Sequence, residues 1–227
     1  MCFSATASFT SGIVLGTIGV VTVKNSPQPH HKPFAIIPLI FAFQQFTEGF
    51  LWLALKGKID PAWEHIFTHS FITIAQVVWP FWVPFSISLL EQNPKRKKIF
   101  YFLIAIGCMI SLSIAYRLLF YPAYSTIEQH HISYHLAFPV TIHYLGAICY
   151  CIVILAPPFV SSVKRMHLLG TFAFVSFIAA EIFYTKYVIS VWCFFAAIIS
   201  VAVYIVIKAQ KKSHEELEGY KISDYQL

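Results

Sequence analysis

Charge is scarce in this chain. Asp, Glu, Lys and Arg together make up 11% of its 227 residues, against about 25% in soluble domains. Apolar residues make up 58%, and the mean hydropathy is +0.68. A soluble domain of this length could not bury so much apolar surface, so a soluble globular fold is excluded. The N-terminus has no basic segment ahead of its first apolar run, which reads as an ordinary span rather than a cleaved signal. There is no internal repeat and no low-complexity tract. The net charge of +6 lies in short loops between apolar runs, so it forms no nucleic-acid patch. Cysteine is sparse, and Cys108, Cys149, Cys151 and Cys193 lie in apolar segments as small core residues. With Cys2 alone outside, no disulfide framework is expected. Cys149 and Cys151, two apart, are expected on different helix faces.

What remains is a succession of seven apolar segments, each near the roughly 20 residues that cross a bilayer. They run over about 5–23, 34–56, 64–90, 99–120, 135–157, 167–185 and 188–207. The expectation is an all-α seven-transmembrane-helix bundle over residues 1–209, with a polar cytoplasmic tail over 210–227. The loops after segments one, three and five, with the tail, hold most of the Lys and Arg. The positive-inside rule makes that side cytoplasmic. The N-terminus is then outside, the C-terminus is cytoplasmic, and the lipid bilayer is the main partner. Gly12, Gly16 and Gly19 in segment one read as a close helix-packing surface. Pro80 and Pro84 remove two backbone donors from segment three and predict a kink that bends its inner half.

Segment two carries the least expected residues. Gln44, Gln45, Glu48 and Trp52 share a helix face with Phe41 and Leu55 at about 100° per residue. A carboxylate at such depth costs roughly 2.5–3.5 kcal/mol on insertion scales, so it must face protein or water. Arg117, His143 and Glu181 lie in other segments, all in the outer half, and Gln76 lies near the middle of segment three. Together these eight residues outline an outward-opening polar pocket. Plainer readings stand beside it: Arg117 snorkels to headgroups, Glu181 pairs with Arg117 or Lys186, and His143 is a satisfied core histidine. His65 and His69, and His131 and His135, have the i,i+4 spacing that puts two imidazoles on one helix face. With Glu64, Glu128 and Cys2 nearby, they form a candidate divalent-metal set.

The opening Met1-Cys2-Phe3-Ser4-Ala5, with Gln45-x-x-Glu48-x-x-x-Trp52 and Pro80-x-x-x-Pro84 before Glu91, resembles an uncharacterised family of small bacterial multi-pass membrane proteins. The resemblance covers segments one to three. It implies that Cys2, Ser4, Gln45, Glu48 and Trp52 belong together. It also implies that removal of Met1 would leave a free N-terminal cysteine beside them. The topology is similar to that of alkaline ceramidase-type hydrolases and rhodopsins. However, the last segment lacks the paired histidines of the former and the mid-span lysine of the latter.

Three functions follow as expectations. The first is a binding or sensing protein whose outward pocket takes a metal ion or small ligand. The second is an intramembrane metal-dependent hydrolase acting on a lipid or amide, with Glu48 as base. The third is a transporter or proton path, which fits less well because the polar groups stop at mid-membrane. The location expected is the bacterial inner membrane.

Overall fold

The structure is a computed structural model and describes residues 4–128, 131–137, 143–184, 192 and 195–224. Helix α1 spans Ala5–Lys24. The Ser4 side chain accepts from the Ala7 amide at 3.2 Å and caps its start. After a 3₁₀ turn at Pro29–His31 come the short α2, Lys32–Ala35, and the long α3, Ile37–Leu55. Segment two is therefore interrupted at Ile36. The chain around it is largely buried. Close packing of α1 on α3 uses the predicted glycine surface. A Cβ on Gly19 would lie 2.4 Å from Leu39 Cδ2 and 3.0 Å from the Leu39 amide nitrogen.

Segment three contains α4, Trp63–Ile72, a π-helical stretch at Thr73–Val78, and α5, Trp79–Ser88. The widened stretch ends at Val78, and both prolines lie within α5, so the irregularity falls ahead of them rather than in the inner half where a kink is expected. Pro80 has no N–H to return to the preceding turn, and neighbouring helices supply donors instead. The Tyr150 hydroxyl donates to the Ala75 carbonyl, and the Ser111 hydroxyl donates to the Val77 carbonyl at 2.6 Å. Such compensation is what an apolar surrounding demands. Helix α6 spans Pro94–Phe120, with Asn93 as its cap. It approaches α5 so closely that a Cβ on Gly107 would lie 2.1 Å from the Pro80 carbonyl oxygen.

The all-α expectation needs one correction. After α6 the chain forms an antiparallel hairpin, β1 at Ala123–Glu128 and β2 at His131–Leu136, pairing Glu128 with His131 and Ala123 with Leu136. Ser, Thr, Tyr and Ile in this stretch suit a strand. Ile127, Ile132 and Tyr134 bury against Trp52, Phe67 and Phe71. The Tyr134 ring stacks on Phe71 at 4.6 Å. Segment five then starts later than expected: α7 covers His143–Leu155, only 13 residues. The short α8, Pro157–Val160, precedes α9 at Met166–Tyr184. Helix α10 runs unbroken over Ala196–Asp224 through the boundary drawn at 209. The start of segment seven, Val188–Val191, lies outside the described residues, as does Cys193.

Among the described residues, five helical stretches are long and apolar enough to cross a membrane: Ala5–Lys24, Pro29–Leu55, Trp63–Ser88, Pro94–Phe120 and Met166–Phe183. Exposed apolar side chains such as Phe102, Leu112 and Leu119 cover the outside of α6. The largest buried cluster joins α2, α3, α5, α6, α7, α9 and α10 around Phe34, Ile87, Phe100 and Met166.

Candidate functional site

A cavity of about 870 Å³ lies among α3, α5, α6, α7, α9 and α10. Its walls are mostly apolar, with Ile87, Ile106, Leu169 and Ile199 among them. Three of the eight predicted pocket residues line it: Gln76 from the π-helical stretch, Arg117 from the last turn of α6 and Glu181 from α9. Residues from three distant segments therefore line one cavity. Gln76 and Arg117 are half-buried, whereas Glu181 is exposed. The backbone of His143 opens α7, but its side chain lies outside what the structure describes.

Gln44, Gln45, Glu48 and Trp52 do not line this cavity. All four are buried in a separate cluster on α3. Gln45 Nε2 donates to Glu48 Oε2 at 3.5 Å. Trp79 touches both groups. Its ring lines the cavity and packs on Phe41, with centroids 4.3 Å apart. Its Nε1 donates the other way, to Gln44 Oε1 at 3.4 Å. Trp52 packs under the hairpin, and Lys56 Nζ lies 4.9 Å from the centre of its ring. Cys2 lies outside the described residues, so its place beside Ser4 and Glu48 is not on view.

The histidine pairs divide. His65 and His69 do share one face of α4, with ring centroids 3.9 Å apart. His69 Nδ1 donates to the His65 carbonyl at 2.9 Å. His131 and His135 are a correction. They lie on a strand, where four residues span about 13 Å rather than one helical turn. His131 is buried, while His135 contacts Glu128 at 3.4 Å and Thr126 at 2.9 Å. Glu64 is engaged elsewhere. Its Oε1 accepts from the Ser125 amide at 3.1 Å, the Ser125 hydroxyl at 2.9 Å and the Thr68 hydroxyl at 3.0 Å. It ties the hairpin to α4. Among the described residues, no three His, Cys, Asp or Glu side chains come together to hold a metal ion.

Several contributors escaped the sequence reading. Cys149, Tyr150 and Cys151 all border the cavity, so the two thiols share a surrounding despite their spacing. The signal available for Tyr150 was Pro80, whose missing donor calls for an outside hydroxyl. A second carboxylate that went unread lies at the opposite end of the molecule from the hairpin. Glu91, 1% exposed, follows α5 and accepts from five groups. These are the amides of Gln92 at 3.1 Å, Asn93 at 2.9 Å and Ser162 at 2.7 Å, the Ser161 hydroxyl at 3.2 Å, and the Ser162 hydroxyl. Burial pushes its pKa up. The Ser162 hydroxyl and amide, the Asn93 amide and the Ser161 hydroxyl outweigh that effect and hold it below the usual value.

The fold and cavity define a class: a mostly helical protein with five membrane-length apolar helical stretches and an apolar chamber bearing a few polar groups. Within that class, residues 1–217 match the model of a family of unknown function, DUF6629, and the chain belongs to that family. No curated protein and no solved structure matches it.

Proposed function

We propose that this protein is a multi-pass membrane protein that binds a small apolar or amphipathic ligand in the cavity beside Trp79. In this reading it has seven spans, with the N-terminus outside the bacterial inner membrane and the C-terminus cytoplasmic. The cavity volume of about 870 Å³ carries the proposal. It falls within the roughly 300–1,000 Å³ of ligand sites, which are mainly apolar with a few placed polar groups. Gln76, Arg117 and Glu181 are those groups. Supporting the orientation, the basic residues Lys95–Lys98 at the start of α6 and the hairpin lie at opposite ends of that helix.

A metal-dependent hydrolase is the weaker reading. Glu48 is not among the residues lining the cavity, and the candidate ligands His131 and His135 lie on a strand. A transport pathway has the weakest support, because the polar lining gathers toward one end. The test is a melting series in detergent with added apolar small molecules. A bound ligand raises the midpoint with concentration. Wild type should respond, and a variant with the cavity filled, Gly146→Trp, should not. A cytoplasmic reporter signal from a fusion after Leu227 should accompany this result. A periplasmic signal would overturn the orientation.

A further inference from the structure

The cavity has a direction. Helix α6 borders it from Ile106 to Arg117 and α9 from Leu169 to Glu181, roughly 16–18 Å along each axis at about 1.5 Å per residue. Arg117 and Glu181 stand at the hairpin end, where Leu136 of β2 also lines the wall. The far end holds Ile87, Ile106, Leu169 and Ile199, all apolar. The cavity also has a side opening. Met109 and Ser113 of α6 and Leu145, Gly146 and Ala147 of α7 line it, and all five are exposed. The rim is flanked by further exposed apolar side chains, Leu112 and Ile148. In a bilayer that opening faces acyl chains, not water.

We infer that the cavity takes a single-chain anionic amphiphile from the bilayer, its chain toward Leu169 and its carboxylate or phosphate head at Arg117. The inference rests on the cavity being a ligand site. Its added content is the head, the direction and the route. Arg supplies a planar fork of donors suited to carboxylate or phosphate. Glu181, at the same end, opposes an anion through its charge and so sets a sign that can be tested.

The experiment measures binding to the full chain in nanodiscs. The probes share one saturated chain and differ in head: a fatty acid, an alkyl phosphate, the alcohol, a quaternary alkylammonium and a lysophosphatidylcholine. The fatty acid or alkyl phosphate should bind about tenfold or more tightly than the alcohol, the scale of one hydrogen bond to a charged group. The better of these two heads identifies the source. Arg117→Gln should erase that margin, and Glu181→Gln should widen it. Equal binding of acid and alcohol would overturn the anionic head while leaving a ligand cavity. So would preference for the alkylammonium, or for the lysophosphatidylcholine with weakening by Glu181→Gln. Binding that survives both Gly146→Trp and Met109→Trp, with melting unchanged, would place the probe elsewhere and overturn the cavity site itself. A Cβ on Gly146 meets nothing within 4 Å, so Gly146→Trp should fold.

Discussion

Trp79 faces two ways: its ring lines the apolar cavity, and its indole N–H donates to Gln44 at 3.4 Å. That bond joins the cavity wall to the buried α3 cluster, while Gln76, Arg117 and Glu181 line the cavity itself. Trp79→Phe removes the donor and keeps the ring. It should cost about 1 kcal/mol in detergent melting and leave the cavity able to bind. Abolished binding with unchanged stability would show that the bond belongs to the site rather than to the wall.

Glu48→Gln keeps the volume and removes the carboxylate. Glu48 is fully buried and is not a lining residue. The expected outcome is a stability loss of about 1–3 kcal/mol, the scale for disturbing a buried hydrogen-bonded polar group. Ligand affinity should change less than threefold. Lost affinity at full stability, or chelator-sensitive melting in wild type alone, would restore Glu48 to the site.

Glu91 gives a pH dependence with a definite sign. Its folded pKa lies below its ordinary value of 4.5, so it stabilises the fold above that value. The contribution is lost as pH falls through the depressed folded pKa. Melting of wild type should drop as pH falls below 4.5. Glu91→Gln should be less stable at neutral pH and should show a shallower acid decline. An identical acid profile for both would rule out Glu91 as the group responsible.

Gly107→Ala tests the tightest helix contact. The new Cβ would fall 2.1 Å from the Pro80 carbonyl oxygen, which is backbone and cannot swing aside. Helices α5 and α6 must part, at a cost of about 1–3 kcal/mol or more. A melting temperature equal to wild type would contradict the packing described for these helices.

Glu64→Ala should loosen the hairpin selectively. It removes the acceptor shared by the Ser125 amide, Ser125 hydroxyl and Thr68 hydroxyl. Hydrogen exchange over residues 123–136 should rise at least tenfold, while α1 and α3 keep their protection. Uniform acceleration across the chain would mean that Glu64 supports the whole fold instead.

Much of this fold was legible in the sequence, and the limits have physical causes. Helices α1, α6 and α9 follow from apolar runs, with Asn25 and Asn93-Pro94 punctuating the first two. Pro80 and Pro84 call for a disturbed helix in segment three, but not for its form or place, a π-helical stretch at Thr73–Val78 ahead of both. The hairpin did not emerge because HxxxH fits a helical turn as well as two steps of strand alternation. Only burial of Ile132 and Tyr134 against Trp52 and Phe71 decides between them. Depth, read from a constant rise per residue, gave Arg117, His143, Glu181 and Glu48 the same outer half. Which of these line the cavity depends on tertiary packing rather than periodicity, and Glu48 is not among the lining residues.

The central claim is that the cavity holds a ligand, and native mass spectrometry of protein purified in mild detergent tests it most directly. Wild type should carry one equivalent of an apolar or amphipathic molecule through purification. Gly146→Trp, with an unchanged melting temperature, should carry none. A wild type with no such adduct, even after incubation with extracted membrane lipids, would contradict the claim. So would an adduct retained equally by the filled variant.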